Sequence, residues 1–363
     1  MIKRIANEYI PTDVSAPGET LREILTERSI SQTDLAGRMG RPQKTISEIM
    51  NGKAAITPET ALELELVLSI PAEFWIARER DYRTYRARQD QEECFAKDAS
   101  WARRFPTKKI IEYGWIPQHA DKNSLIKNLL EFFGVASSQQ WEQVFAAYQV
   151  AFRKPAAFKP DLCALSAWLR EGISSAEKAK MRPFDRATFI STLNSSRKLI
   201  TSDPEVFAPA LTDIFAEAGV AVAFVPELPK SRASGATMWL SPDRALIQLS
   251  LRYKADDHLW FTFYHEAAHV LLHNKKSIFL ETDKHLGEQE KEANEWAADF
   301  LIPPRAYKRF ISRGSYTKAE IRAFAAKLGL SPGIVVGRLQ HDKVLDFAHC
   351  NDLKRKLVWV VKN

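Results

Sequence analysis

After Gly219 the hydrophobic pattern changes from helical to strand-like, and this switch restricts the possible fold more than any other feature of the chain. Val220 to Val225 is a compact apolar run closed by Pro226. Thr237 to Leu240 and Ala245 to Leu249 follow, split by the turn-like cluster Ser241-Pro242-Asp243. Three short strands therefore precede long helical patterns that begin near Asp256, an α+β arrangement. Upstream the spacing is helical. Leu125, Ile126, Leu129, Leu130 and Phe133 make one apolar face stopped by Gly134, and Trp141, Val144, Phe145 and Tyr148 make the next. A break is expected between Arg153-Lys154-Pro155 and Lys159-Pro160. Before residue 80 the chain reads as short helices divided by Gly, Ser and Pro.

At roughly 100–200 residues per domain, 363 residues suggest two or three domains. No fixed-period repeat occurs, which argues against a solenoid. The expected organisation is multidomain and mainly α. It comprises an all-α domain over residues 1–80, a helical linker or middle region over 81–190, and an α+β domain over 191–363.

Apolar residues at 45% and charged residues at 27% exclude wholesale disorder. No apolar run approaches the roughly 18 residues of a membrane span, and Met1-Ile2-Lys3-Arg4 leads into no signal-like segment. Three cysteines, Cys94, Cys163 and Cys350, are too few and too scattered for a disulfide framework or a CxxC metal site. A cytoplasmic location with no membrane partner is the expectation. Lys and Arg outnumber Asp and Glu by 52 to 45, and the net charge of +7 permits a polyanionic partner without requiring one. The charge-dense stretch from Arg78 to Lys109, with Tyr82, Tyr85 and Trp101 interleaved, reads as a solvated helix and linker rather than a DNA-binding arm.

Ser31-Gln32-Thr33-Asp34 has the form of a capping box, with Asp in place of the usual Glu or Gln. The helix it opens has Leu35, Ala36 and Met39 inward and stops at Gly40. Beyond Pro42 a second helix runs through Ile46, Ile49 and Met50 to Asn51-Gly52. Two short helices joined by a tight turn form a helix-turn-helix. The second presents Gln43, Lys44, Thr45, Ser47 and Glu48 outward, the amide, cation and hydroxyls with which a recognition helix reads bases and holds phosphates. Gln32 stands at a helix start suited to a phosphate. The stretch from Ser31 to Trp75 resembles the XRE helix-turn-helix family, in particular HigA-type antitoxins, through Asn51-Gly52-Lys53, Ile56 to Ala61 and Pro71-Ala72-Glu73-Phe74-Trp75. The resemblance implies a five-helix domain that binds a double-stranded DNA operator, usually as a homodimer, with Gln32, Gln43, Lys44, Thr45, Ser47 and Lys53 as contacts. Pro42 departs from the Ser of many relatives, and Glu48 must face bases or turn away from phosphate.

Tyr264 to His273 contains His265-Glu266-Ala267-Ala268-His269, an HExxH within a helical pattern. Residues four apart share a helix face, so His265 and His269 can bind one Zn²⁺ with Glu266 beside it as general base. A catalytic zinc needs a third protein ligand. His273 lies two turns from His265, about 12 Å along the axis, too far to share an ion. Leu272 and Lys275 stand where a metzincin would place Gly and His. The third ligand must come from another helix. In Glu288 to Pro304, Ala293, Trp296, Ala297, Phe300 and Leu301 form an apolar stripe, and periodicity leaves both Glu290 and Glu292 open as ligands. Phe261 to His273 followed by Glu290 to Pro304 resembles the ImmA/IrrE family of zinc metallopeptidases. The resemblance covers about residues 195–345 and implies a zincin-like domain, Zn²⁺ held by His265, His269 and Glu292, Glu266 as catalytic residue, and helix-turn-helix repressors as substrates. Trp296 and Ile302 are mild departures. Ile321, Phe324, Leu328, Val335 and Leu339 mark two or three further packed helices.

Zn²⁺ lowers the pKa of a bound water to about 7, and Glu266 would take its proton and pass it to the leaving amine. No residue stands out as an oxyanion stabiliser; Tyr264 and His258 are near in sequence and equally suited to structural roles. The combined expectation is a DNA-binding regulator, antitoxin-like and tied to bacterial stress, with an integral zinc endopeptidase that cleaves a repressor, a toxin partner or itself. The alternative is an antitoxin whose zinc-binding C-terminal domain senses or docks without turnover. A peptidase sharing a chain with its own type of substrate must be held latent, and the helical middle at about 85–190 is expected to block or misalign the zinc site until a signal or partner displaces it.

Overall fold

The computed structural model describes residues 14–151, 161–274, 279–281 and 287–360. The break expected at Arg153 to Pro160 lies outside them. The chain divides into two compact units, residues 1–97 and 98–363.

The first unit is five helices: α1 (Pro17–Glu27), α2 (Gln32–Met39), α3 (Gln43–Met50), α4 (Pro58–Leu68) and α5 (Ala72–Lys97). The Ser31 hydroxyl caps α2 by accepting the Asp34 N–H at 3.0 Å, and Gly40 closes it in the left-handed region at φ 66°. Pro42, which fits a helix start because it needs no N–H partner there, is the N-cap of α3. Leu35, Ala36 and Met39 of α2 and Ile46 and Ile49 of α3 join Leu21, Leu25, Leu64, Leu68 and Trp75 in one core. α1 crosses α3 so closely that a Cβ on Gly18 would stand 2.4 Å from the Ile49 carbonyl oxygen. α5 runs on well past residue 80, with mostly exposed charged side chains after Arg80.

The second unit begins with α6 (Ala99–Ala102), α7 (Thr107–Glu112), α8 (Lys122–Phe133), α9 (Ser138–Ala151) and α10 (Leu162–Lys178). Ile126, Leu129, Leu130 and Phe133 are buried as expected, as are Trp141 and Phe145, but Val144 is 53% exposed. The buried line of α9 passes through Trp141 and Phe145, four apart, and leaves Val144 to one side. α11 (Arg186–Ser196) and α12 (Pro204–Ala216) lead into β1 (Val220–Phe224), β2 (Gly235–Ser241) and β3 (Arg244–Leu249). After α13 (Asp256–Leu272) comes a fourth, three-residue strand, β4 (Phe279–Glu281), then α14 (Glu288–Leu301), α15 (Pro304–Ile311), α16 (Lys318–Leu328) and α17 (Pro332–His341).

The sheet has the order β1-β3-β2-β4, with β1 parallel to β3 and the other pairs antiparallel. Both faces are covered, which is why its strands read as continuous apolar runs rather than alternating ones. Ala245, Ile247 and Leu249 of β3 share a core with α12 and α13. Gln248, between them, points to the other face, where its Nε2 donates to the Trp168 carbonyl of α10 at 2.6 Å. Gly172 makes room for it, since a Cβ there would fall 1.9 Å from Gln248 Oε1. α10 therefore backs the sheet on the face away from α13. Within the expected helical middle, this helix packs on the sheet rather than on the HExxH helix.

Two buried carboxylates fasten the start of α13. Asp256, 0% exposed, accepts from the Arg355 backbone N–H and Nε, each at 3.0 Å, and from the Ser331 hydroxyl. Asp257 pairs with Lys354 at 2.7 Å. Gly333 and Gly337 on α17 admit them, because Cβ atoms there would lie 2.6 Å and 2.7 Å from the two carboxylates. Asp256→Ala should destabilise the chain by about 3 kcal/mol, the lower end for a broken buried pair, as Arg355 keeps some solvent. Denaturant unfolding checks this, and a loss below about 1 kcal/mol would show that the tie contributes little.

Candidate metal centre and nucleic-acid face

α13 is buried almost all round, and its histidines come to a single point. His265 and His269 are 0% and 1% exposed, with their Nε2 atoms 3.0 Å apart. The Glu290 carboxylate of α14 meets them, Oε2 3.2 Å from His265 Nε2 and Oε1 3.7 Å from His269 Nε2. One ligand atom from each of these three residues lies within 4.8 Å of the others. Two imidazole nitrogens and a carboxylate oxygen, converging from a buried helix and its neighbour, are a donor set that suits Zn²⁺.

The third member is therefore Glu290, where the resemblance implied Glu292. The reason lies in the phase of α14. The helix starts at Glu288, so Glu290, Ala293, Ala297 and Leu301 fall at spacings of three and four on its inward line. Glu292 is off that line with its side chain 59% exposed, against 17% for Glu290. It turns to His273, with Oε2 3.2 Å from Nε2.

Glu266 is fully buried beside the cluster. The Thr237 hydroxyl of β2 lies 2.6 Å from Glu266 Oε2 and 2.9 Å from its carbonyl oxygen, fixing one carboxylate oxygen. Gly235, two residues earlier on the same strand face, has to be glycine: a Cβ there would sit 2.6 Å from Glu266 Oε1. Phe279 of β4 is the cross-strand partner of Thr237, so both face α13. Its ring stacks on His269 at 4.0 Å between centroids, tilted by 15°. Nothing in the sequence marks Thr237, Gly235 or Phe279, because their roles follow from strand register.

Tyr264 and His258 stand apart from this point. The Tyr264 hydroxyl is 3.1 Å from Ser196 Oγ, and burial pushes its phenol up to about 12, so it stays protonated as a packing group. His258 stacks on Tyr253 at 4.2 Å. It lines a cleft of about 390 Å³ with Phe261, Asn294, Ala298, Ile302 and Ile334 among its walls. Phe261 is one turn from His265 and Asn294 one turn from Glu290, so the cleft continues the α13–α14 groove away from the ligand cluster.

In the first unit, Gln43 and Lys44 are exposed on α3, with Thr45 and Ser47 half-buried on the flanks. Asn51 Nδ2 donates to the Ser47 carbonyl at 2.8 Å and lies 3.4 Å from its hydroxyl. Lys44 Nζ is 3.9 Å from Glu48, which gives the acidic residue a partner on its own helix. Gln32 is half-buried at the first position of α2, and Lys53 is exposed just after α3.

Residues 21–75 match the helix-turn-helix family model, and residues 223–340 match the IrrE N-terminal-like domain of the M78 peptidases. The HTH-type transcriptional regulator YddM of Escherichia coli is 35% identical over 60 residues, 16% of this chain and 64% of that protein. The chain thus spans just under two thirds of the curated relative it matches. Among solved structures, an antidote protein of a plasmid maintenance system from Nostoc punctiforme is 26% identical, covering 24% of this chain and 94% of that one, with a TM-score of 0.23. A HigA-family addiction module antidote protein from Coxiella burnetii is 28% identical, covering 23% and 92%, with a TM-score of 0.21. This chain therefore carries an XRE-type helix-turn-helix domain towards its N-terminus and an IrrE N-terminal-like, M78 peptidase-family domain towards its C-terminus.

Proposed function

We propose that this chain binds a DNA operator through α2 and α3 and hydrolyses peptide bonds at a Zn²⁺ site formed by His265, His269 and Glu290. The observation that carries the peptidase reading is the meeting of these three side chains beside the buried, hydroxyl-tethered carboxylate of Glu266. A bound Zn²⁺ supplies Lewis acidity and a water that ionises near neutrality. Glu266 supplies the base: with one oxygen held by Thr237, the carboxylate is oriented to take the proton of the attacking water and deliver it to the departing amine. The cleft beyond Phe261 offers an apolar side chain of the substrate a place next to this centre. Substrates are proteins: a helix-turn-helix repressor, a toxin partner or this chain.

For the DNA-binding half, the exposed amide and ammonium of Gln43 and Lys44 support base and phosphate contacts, with Gln32, Thr45, Ser47 and Lys53 around them. α4 turns Leu62 and Leu66 outward, 56% and 83% exposed and four residues apart, which supports a homodimer formed through a second copy of this face.

Gln43→Ala should cost about 1–3 kcal/mol at the cognate operator while sparing non-specific binding. A triple alanine variant at Gln43, Lys44 and Thr45 that shifted its own promoter normally in a gel would remove α3 from the interface. Leu66→Asp should turn a dimer into a monomer in sedimentation equilibrium, and an unchanged mass would place the dimer contact elsewhere. Elemental analysis should find one zinc per chain, lost in Glu290→Ala and in His265→Ala. Purified chain with zinc should cleave a helix-turn-helix protein, and Glu266→Gln should stop cleavage while keeping the metal. Full zinc loading without cleavage of any such protein would leave a sensing or docking domain, or a peptidase held latent in the full chain, and cleavage by a chain lacking residues 1–190 separates the two.

A further inference from the structure

Beyond the three ligands, a second line of contacts runs outward from His269, and it uses the two residues that the ligand set leaves over. His269 Nδ1 is 2.8 Å from His273 Nδ1, and His273 Nε2 is 3.2 Å from Glu292 Oε2. His273 is the C-cap of α13 with extended backbone (φ −113°, ψ 170°), which takes it off the helical path, and its side chain is 3% exposed. Phe279 stacks on His269 and lies 5.2 Å from the His273 ring, so the two imidazoles share one aromatic wall.

We propose that His273 and Glu292 are positioning residues that hold His269 in the tautomer and orientation required of a metal ligand. The inference rests on the zinc reading of the cluster, and it follows from counting protons. A neutral imidazole carries one N–H. His269 can present a lone pair at Nε2, where His265 and Glu290 converge, only if its proton sits on Nδ1. That N–H then donates to His273 Nδ1, which must be bare. The His273 proton is thereby placed on Nε2, where it donates to the Glu292 carboxylate. Each contact has one donor and one acceptor, and the carboxylate at the far end can only accept when ionised. The polarisation runs one way, from carboxylate to ligand, and makes Nε2 of His269 a stronger donor to a cation. A plain tie between the end of α13 and the start of α14 would also bring Glu292 to His273, but it would not act on metal affinity.

The test is the zinc affinity of the full-length protein, measured by competition with a chromophoric chelator, together with the melting temperature of the zinc-free chain. Glu292 is exposed, so its variants should fold. Glu292→Ala should weaken zinc binding by about 10–100-fold with little change in zinc-free melting. Glu292→Asp should recover part of the loss, and His273→Ala should match Glu292→Ala. The double variant should be no worse than either single one, because both break the same line. Wild-type zinc affinity in folded Glu292→Ala and His273→Ala would overturn the proposal and leave the ligand set intact. A wild-type chain that takes up no zinc would overturn the metal reading and this proposal with it.

Discussion

Burying two imidazoles and a carboxylate on one helix is costly unless their polar atoms find partners, and the second unit is arranged around that requirement. His265, Glu266 and His269 occupy the C-terminal half of α13, shut in by the sheet on one side and α14 on the other. β2 supplies the Thr237 hydroxyl to Glu266, α14 supplies the Glu290 carboxylate to both histidines, and β4 supplies an aromatic face to His269. Short side chains make these approaches possible. Ala267 and Ala268 on α13 and Ala293 and Ala297 on α14 are completely buried, so the helices can lie close enough for a glutamate to reach across. Gly235 does the same for the strand.

Elements whose signal is local were legible in the sequence. The Ser31 cap and the Gly40 stop bracket α2 because both act within one helical turn. The pairing of His265 with His269 follows from helix pitch alone. The three longer strands lie within a few residues of the expected runs, since covering both sheet faces left them continuously apolar. The fourth, Phe279–Glu281, is too short to carry a pattern and exists through its pairing with β2. Thr237 and Glu266 are 29 residues apart, and no local rule joins them. The third member of the cluster fell between these cases. Stripe phase alone admitted both glutamates, and the start of α14 at Glu288 decided for Glu290.

The role of the helical middle was legible least of all. Read by periodicity, residues before Gly219 form amphipathic helices with no indication of what they cover. In the structure α10 is the backing layer of the sheet, tied by Trp168 Nε1 to the Val225 carbonyl at 3.0 Å and by Gln248 to the Trp168 carbonyl. The residue that makes this possible is Gly172, whose missing side chain is filled by Gln248. A glycine inside a helix costs about 1 kcal/mol against alanine. Here it admits a buried amide whose hydrogen bond joins two layers.

Glu290 and Glu292 show how two like residues on one helix come to different work. At 3.6 residues per turn they lie about 200° apart around the axis, so both cannot lie on the inward line. The inward position belongs to Glu290 because Ala293 and Ala297 continue it. Glu292 is left at the rim, where an uncompensated carboxylate costs little. α13 ends there, and the extended backbone of its cap residue swings His273 into reach. One glutamate therefore meets the histidines directly at their Nε2 atoms, and the other meets His269 from behind through a second ring. The acidic start of α14, which by composition is an ordinary helix-start signal, supplies both the carboxylate that meets the two histidines and the one that reaches His273.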